Sequence, residues 1–108
     1  MGFAMKDVLV RISLRRTEDG GRQGPILPVR DFSCPVFFRN VPDLAGHGYD
    51  CRLLVRRTGK PIAPGETADG IPIIFLSTED VLPHLRVGIS FELWEGRIIG
   101  DGEVMEMV

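Results

Sequence analysis

The sequence predicts an all-β protein, a small antiparallel barrel or sandwich of about six strands, and three observations carry that expectation. Leu85, Val87, Ile89, Phe91 and Leu93 fall on every second position, with Arg86, Gly88, Ser90, Glu92 and Trp94 between them. Such alternation marks a half-buried strand, because successive side chains leave a strand on opposite faces. After a break at Glu95-Gly96, residues 97–107 return as a second strand with Gly100 and Gly102 on one face. Glycine inside a strand marks a bulge, a sharp coil or a close backbone approach, so this hairpin is expected to close a small barrel. The third observation is that turn residues punctuate the chain at short intervals and helical periodicity is almost absent.

The elements follow in order. Residues 7–15 form the first strand, with Val8, Val10, Ile12 and Leu14 inward and Arg11, Ser13 and Arg15 outward. Thr17-Glu18-Asp19-Gly20-Gly21-Arg22 is a turn rich in residues that tolerate positive φ. A phosphate cradle is the sharper reading of its glycines, but no Lys-Ser/Thr follows them. Residues 23–33, with Pro25 and Pro28 and no sustained period, read as a long ordered loop. Val36-Phe37-Phe38-Arg39 is a short buried strand, and residues 40–48 a turn region. Tyr49, Cys51, Leu53 and Val55 alternate with Asp50, Arg52, Leu54 and Arg56, giving a third strand with a basic outer face. Turns at Thr58-Gly59-Lys60-Pro61 and Pro64-Gly65-Glu66 precede a strand over residues 71–77, with Pro72 near its start or on an edge. Residues 78–83 have room for one helical turn before the closing hairpin.

A chain of 108 residues makes one domain, residues 1–108, long enough to bury a core without staples. At 44% hydrophobic and 26% charged residues its composition is that of a soluble globular protein. Met1 to Lys6 shows no leader pattern, and no apolar run approaches the roughly 18 residues of a membrane span. The expected location is the cytoplasm, with no membrane partner. The net charge of −2 hides an asymmetry: residues 1–60 carry 11 Lys/Arg against 6 Asp/Glu, net +5, and residues 61–108 carry 2 against 9, net −7. One basic patch for an acidic partner or a phosphate backbone is compatible with that division.

Cys34 and Cys51 are the only cysteines, and with His47 and His84 they would make a four-ligand metal set. The spacing offers neither Cys-x-x-Cys nor His-x-x-x-His, so reduced, buried thiols are the better reading and no cofactor or metal is expected. Cys51 beside His47 or His84 would make a nucleophile and base, but no third group orients them and Cys51 alternates with core residues. A non-enzymatic role follows.

Gly20-Gly21-Arg22-Gln23-Gly24-Pro25, a loop, and Pro35-Val36-Phe37-Phe38-Arg39 resemble the start of the third, C-terminal domain of bacterial elongation factor Tu, where the pattern is Gly-Gly-Arg-His-Thr-Pro, a loop, and Arg-Pro-Gln-Phe-Tyr-Phe-Arg. Pro64-Gly65-Glu66 resembles that family's Pro-Gly-Asp/Glu. Residues 88–102, Gly-Ile-Ser-Phe-Glu-Leu-Trp-Glu-Gly-Arg-Ile-Ile-Gly-Asp-Gly, resemble its closing Arg-Phe-Ala-Ile-Arg-Glu-Gly-Gly-Arg-Thr-Val-Gly-Ala-Gly. The likeness runs in order from about Asp7 to Val108. It implies a closed six-stranded antiparallel Greek-key barrel and a place related to translation. In the family this domain packs on the GTPase domain, grips the T-stem of aminoacyl-tRNA and offers a surface to the exchange factor. Of the three T-stem positions, this chain has Pro35 and Leu44 at two and keeps Glu95-Gly96 at the third, with Arg97 following. No nucleotide-binding motif is present, so GTP binding is not expected.

Two surfaces are candidates for binding. Arg11, Arg15, Arg52 and Arg56 would form an arginine patch if the first and third strands were neighbours. The alternative is an ordinary solvated wall. The hairpin Trp94, Glu95, Gly96, Arg97, Ile98, Gly100 and Gly102 offers an outward indole and bare backbone that another chain can approach. A plain hairpin turn, with Trp94 packed under a neighbouring loop, is its alternative. The function this predicts is a non-catalytic module for protein–protein interaction or self-association, with RNA or tRNA binding second.

Overall fold

The computed structural model describes residues 7–108; the leader expectation concerns residues 1–6, outside the described residues. Among the described residues there are six strands: β1 (Val8–Leu14), β2 (Phe32–Phe37), β3 (Tyr49–Leu53), β4 (Thr67–Phe75), β5 (Ser90–Trp94) and β6 (Ile98–Met107). They close into an antiparallel barrel in the order β1-β4-β3-β2-β5-β6. β2, β3 and β4 are joined consecutively, and β1 lies beside β4 after a long connection, which is the Greek-key arrangement. Single helical turns, α1 (Val55–Thr58) and α2 (Thr78–Val81), punctuate the connections. Because every pairing is antiparallel, the connections alternate between the two ends of the barrel. The β1–β2, β3–β4 and β5–β6 connections share one end, and β2–β3 and β4–β5 the other. The chain's last residue returns to its first described one, with Val108 N–H donating to Asp7 C=O at 2.8 Å.

Alternation explains the interior. Val8, Val10, Ile12 and Leu14 are all buried, as are Phe91 and Leu93, in agreement with the period-two pattern. Phe38 anchors the centre, its ring 5.6 Å from Phe91 and 5.9 Å from Phe75 between centroids. β6 passes Gly102 directly opposite Phe91. A Cβ on Gly102 would run into the Phe91 ring, so the missing side chain is the space the phenyl group fills.

The closing strand is shorter than its alternation implies. β5 begins at Ser90, and Val87, expected in the core, is 61% exposed. The reason is a turn: Ile89 N–H bonds Arg86 C=O at 3.2 Å, and Gly88 takes φ +96°. Glycine at the third position of such a turn is the type II requirement, and it throws Val87 to the corner. Leu85 stays buried and Ile89 packs against the core from partial burial.

β3 ends at Leu53 rather than running to Arg56. Val55 keeps its buried place because α1 turns it back onto the barrel, closed by Gly59 at φ +69° with its N–H on Val55 C=O. β4 starts at Thr67, so Pro72 sits well inside it and is buried, not near a start or an edge. Pro72 C=O accepts from Leu54 N–H at 2.8 Å. In an antiparallel strand a residue's N–H and C=O point to the same neighbour. The donor that proline lacks would therefore face Leu54, whose C=O accepts instead from Arg57 N–H at 3.1 Å. β2 likewise begins earlier than expected, at Phe32, and contains Pro35.

Candidate functional site

A concavity of about 490 Å³ lies at the end shared by the β1–β2 and β5–β6 connections. One wall is the loop of residues 22–31, and the floor is the start of β2. The sequence builds that wall in steps. Gly20, at φ +91°, closes a short 3-10 turn, and Gly21 lies so close to Arg15 C=O that a Cβ there would collide with it. Thr17 Oγ1 donates to Arg22 C=O at 2.6 Å and holds the exit of the turn. Ile26 then plunges into the core, exchanging two backbone hydrogen bonds with Ile62, and both side chains are buried. With Ile26 as the anchor, Leu27 and Val29 are left facing water, 52% and 73% exposed.

Arg22 ties this loop to the closing hairpin. Its Nη1 reaches both oxygens of Glu95 at 2.6 Å, its Nε donates to Gly24 C=O at 3.2 Å, and its guanidinium lies 5.0 Å from the Phe32 ring centroid. A partly exposed pair of this kind contributes about 1 kcal/mol. Its larger effect is positional, since it fixes one rim of the cleft.

The opposite rim gathers Arg30, Arg52 and Arg56 around Asp31. Ser33, on the cleft floor, is paired across the ladder with Arg52, and cross-strand partners project from the same face. Arg56 N–H donates to Asp31 Oδ1 at 3.3 Å, which places the start of α1 beside the cleft. Arg30, Arg52 and Arg56 are exposed and make no ion pair among the described residues.

The residues read from sequence divide accordingly. Arg11 and Arg15 do not join Arg52 and Arg56, because β4 lies between β1 and β3. Arg11 is held by Asp69 of β4 at 2.5 Å and faces Glu103 of β6, and these acids raise its pKa. Arg15 is exposed at the end of β1, and Arg56 stands on α1 rather than on a strand. Trp94 points outward, 38% exposed, and also packs edge-on against Phe37 at 6.0 Å between centroids. Glu95, Gly96 and Arg97 form the hairpin turn, with Gly96 at φ +75° and Glu95 N–H on Arg97 C=O. Ile98 is half-buried.

Gly100 and Gly102 are not outward-facing bare backbone. Both are buried on the inner wall, Gly100 against Ser13 and Leu14 and Gly102 against Phe91. They serve close packing inside the barrel and leave the contact surface. Leu44, aligned with a T-stem position of the resembled family, is buried, and Pro35 is half-buried within β2.

Sequence reasoning passed over Arg22 as a link and Leu27, Val29 and Arg30 as a surface. The available signal was an aperiodic loop holding aliphatic residues beside arginine and proline, where periodicity has nothing to report.

For chemistry the site offers contact and charge. Cys51 stands opposite Cys34 across the β2–β3 ladder, both free and buried. Hydrogen bonding with Cys34 and burial push the Cys51 thiol up, away from the thiolate that a nucleophile requires. No group of three or more His, Cys, Asp or Glu side chains suited to a metal occurs among the described residues. Among the described residues no helix is long and apolar enough to cross a membrane. Neither protein-family models nor curated proteins give a match to this chain.

Proposed function

We propose that this protein is a non-catalytic, cytoplasmic binding module, similar to the third domain of elongation factor Tu, that takes a protein partner in the cleft beside β2. The observation that carries the reading is the pair Leu27 and Val29, held in water by a loop whose neighbouring Ile26 is locked in the core. Exposed aliphatic groups in a concavity with a charged rim fit a protein side chain better than water. In support of the family relationship, the chain combines the ordered motifs with a six-stranded barrel. The Gly-Gly-Arg and Glu-Gly-Arg motifs meet in one feature, the Arg22–Glu95 pair.

RNA binding is the second reading, favoured by the cationic rim of Arg30, Arg52 and Arg56. Base stacking needs open aromatic faces. In the cleft the one aromatic ring, Phe32, is covered by the Arg22 guanidinium. Immobilised protein exposed to extract of its native cell separates the two. A protein captured after nuclease treatment and at high salt, and lost with Val29→Asp, supports the first reading. Capture that disappears with nuclease or modest salt supports the second.

A further inference from the structure

The barrel carries a feature that matches its own cleft. At the opposite end, the β4–β5 connection turns through α2 and sets Leu76, 59% exposed, and Leu82 beside Glu79 and Asp80. Both acids are exposed and make no ion pair among the described residues. The corner is acidic and aliphatic; the cleft is aliphatic, and with Glu95 held by Arg22 its remaining charges are Arg30 in the lining and Arg52 and Arg56 beside it, against the one acid Asp31. The other acidic surface, on β5 and β6, is already partly neutralised, Glu92 by Arg39 and Glu103 by Arg11.

We infer that the occupant of the cleft is the α2 corner of a second copy of this chain, which rests on reading the cleft as a protein-binding surface. Leu76 and Leu82 of one copy meet Leu27 and Val29 of the next, while Glu79 and Asp80 meet Arg30 and Arg52. Cleft and corner lie at opposite ends of the barrel, because β4 delivers the chain to the end away from the β1–β2 and β5–β6 connections. A corner therefore cannot fill its own cleft. The contact is heterologous, each copy using a different surface, and such contacts continue into chains or close into rings instead of stopping at a symmetric dimer. The charged part of the contact makes it sensitive to salt.

The test uses two variants of the full chain with every substitution on an exposed side chain. One carries Arg30→Glu with Arg52→Glu and spoils the cleft. The other carries Leu76→Asn, Glu79→Gln and Asp80→Asn and spoils the corner. In sedimentation velocity at low salt, the wild type grows in mass with concentration beyond a dimer. Each variant alone stays monomeric, with an unchanged circular dichroism spectrum and melting temperature. Mixed in equal amounts they form a dimer and nothing larger, since only one good cleft and one good corner remain in the mixture. A wild type that is monomeric throughout, or association that survives either variant, overturns the inference. A monomeric wild type that still captures a protein through Val29 removes self-association and leaves the cleft's protein-binding role standing. Loss of both removes the role as well.

Discussion

Gly102 and Phe91 form one packing unit, and they show what a single methyl group does in this barrel. The phenyl ring occupies the place of a Cβ on Gly102, so Gly102→Ala forces the ring or β6 to move. Overpacking of this kind costs roughly 1–3 kcal/mol. Phe91→Ala leaves a void at the centre, and removal of a buried phenyl group costs roughly 3–5 kcal/mol. The double variant should be less destabilised than the two single losses added together, because the smaller residue at position 91 makes room for the alanine. Urea denaturation of the four proteins measures this coupling, and strict additivity would show that the two residues do not share the space. Cys51 gives a second prediction at this scale. Its thiol holds the proton to higher pH in the folded barrel than in the unfolded chain. Above the unfolded thiol's ordinary value of about 8.5, the unfolded state loses protons that the native state keeps, and stability falls by up to about 1.4 kcal/mol per pH unit. Below that pH the contribution is fully present. Denaturation midpoints between neutral pH and about pH 10 should therefore drop more steeply for the wild type than for Cys51→Ala.

Elements were legible where side-chain parity stayed unbroken and obscure where a turn kept the same parity. β1 shows its alternation from end to end, and its four buried residues are those the pattern assigns. In residues 85–94 the pattern continues through a type II turn, because Gly88 occupies a position where an outward strand residue would look the same. Val87→Asp should accordingly change stability by less than about 0.5 kcal/mol, while Leu93→Asp, of the same parity but in the core, should prevent folding. Thermal melts of the two variants distinguish a corner from a strand. β6 carried its own signal: Asp101 and Glu103 belong outside, which forces Gly100 and Gly102 inside. Glycine has no hydropathy to mark a face, and the charged neighbours decide the matter. The cleft was illegible for another reason. It arises where the loop of residues 22–31, α1 and the β5–β6 turn converge across long sequence separations, and no local pattern encodes that meeting.

At the scale of the whole molecule, closure is what brings the parts together. A closed barrel has no strand edge to add to, so partners must use side chains and connections rather than the backbone ladder. This places the burden of recognition on the two ends, one bearing the cleft and the other the α2 corner. Closure also joins β1 to β6, the first strand to the last, with Val8 paired to Met107 at one end and Leu14 to Gly100 at the other. Asp7 and Val108, the two ends of the described residues, therefore lie side by side, joined by the Val108–Asp7 hydrogen bond. A load applied through those two ends meets the β1–β6 ladder in the peeling direction, breaking its hydrogen bonds one after another rather than all at once. Held in optical tweezers by its ends, the barrel should open at low force. Gripped instead at Gly59 and Val108, so that the load no longer runs across that single seam from one end, the same fold should resist a higher force. The seam that makes the barrel complete is thus also the direction in which it is mechanically weakest.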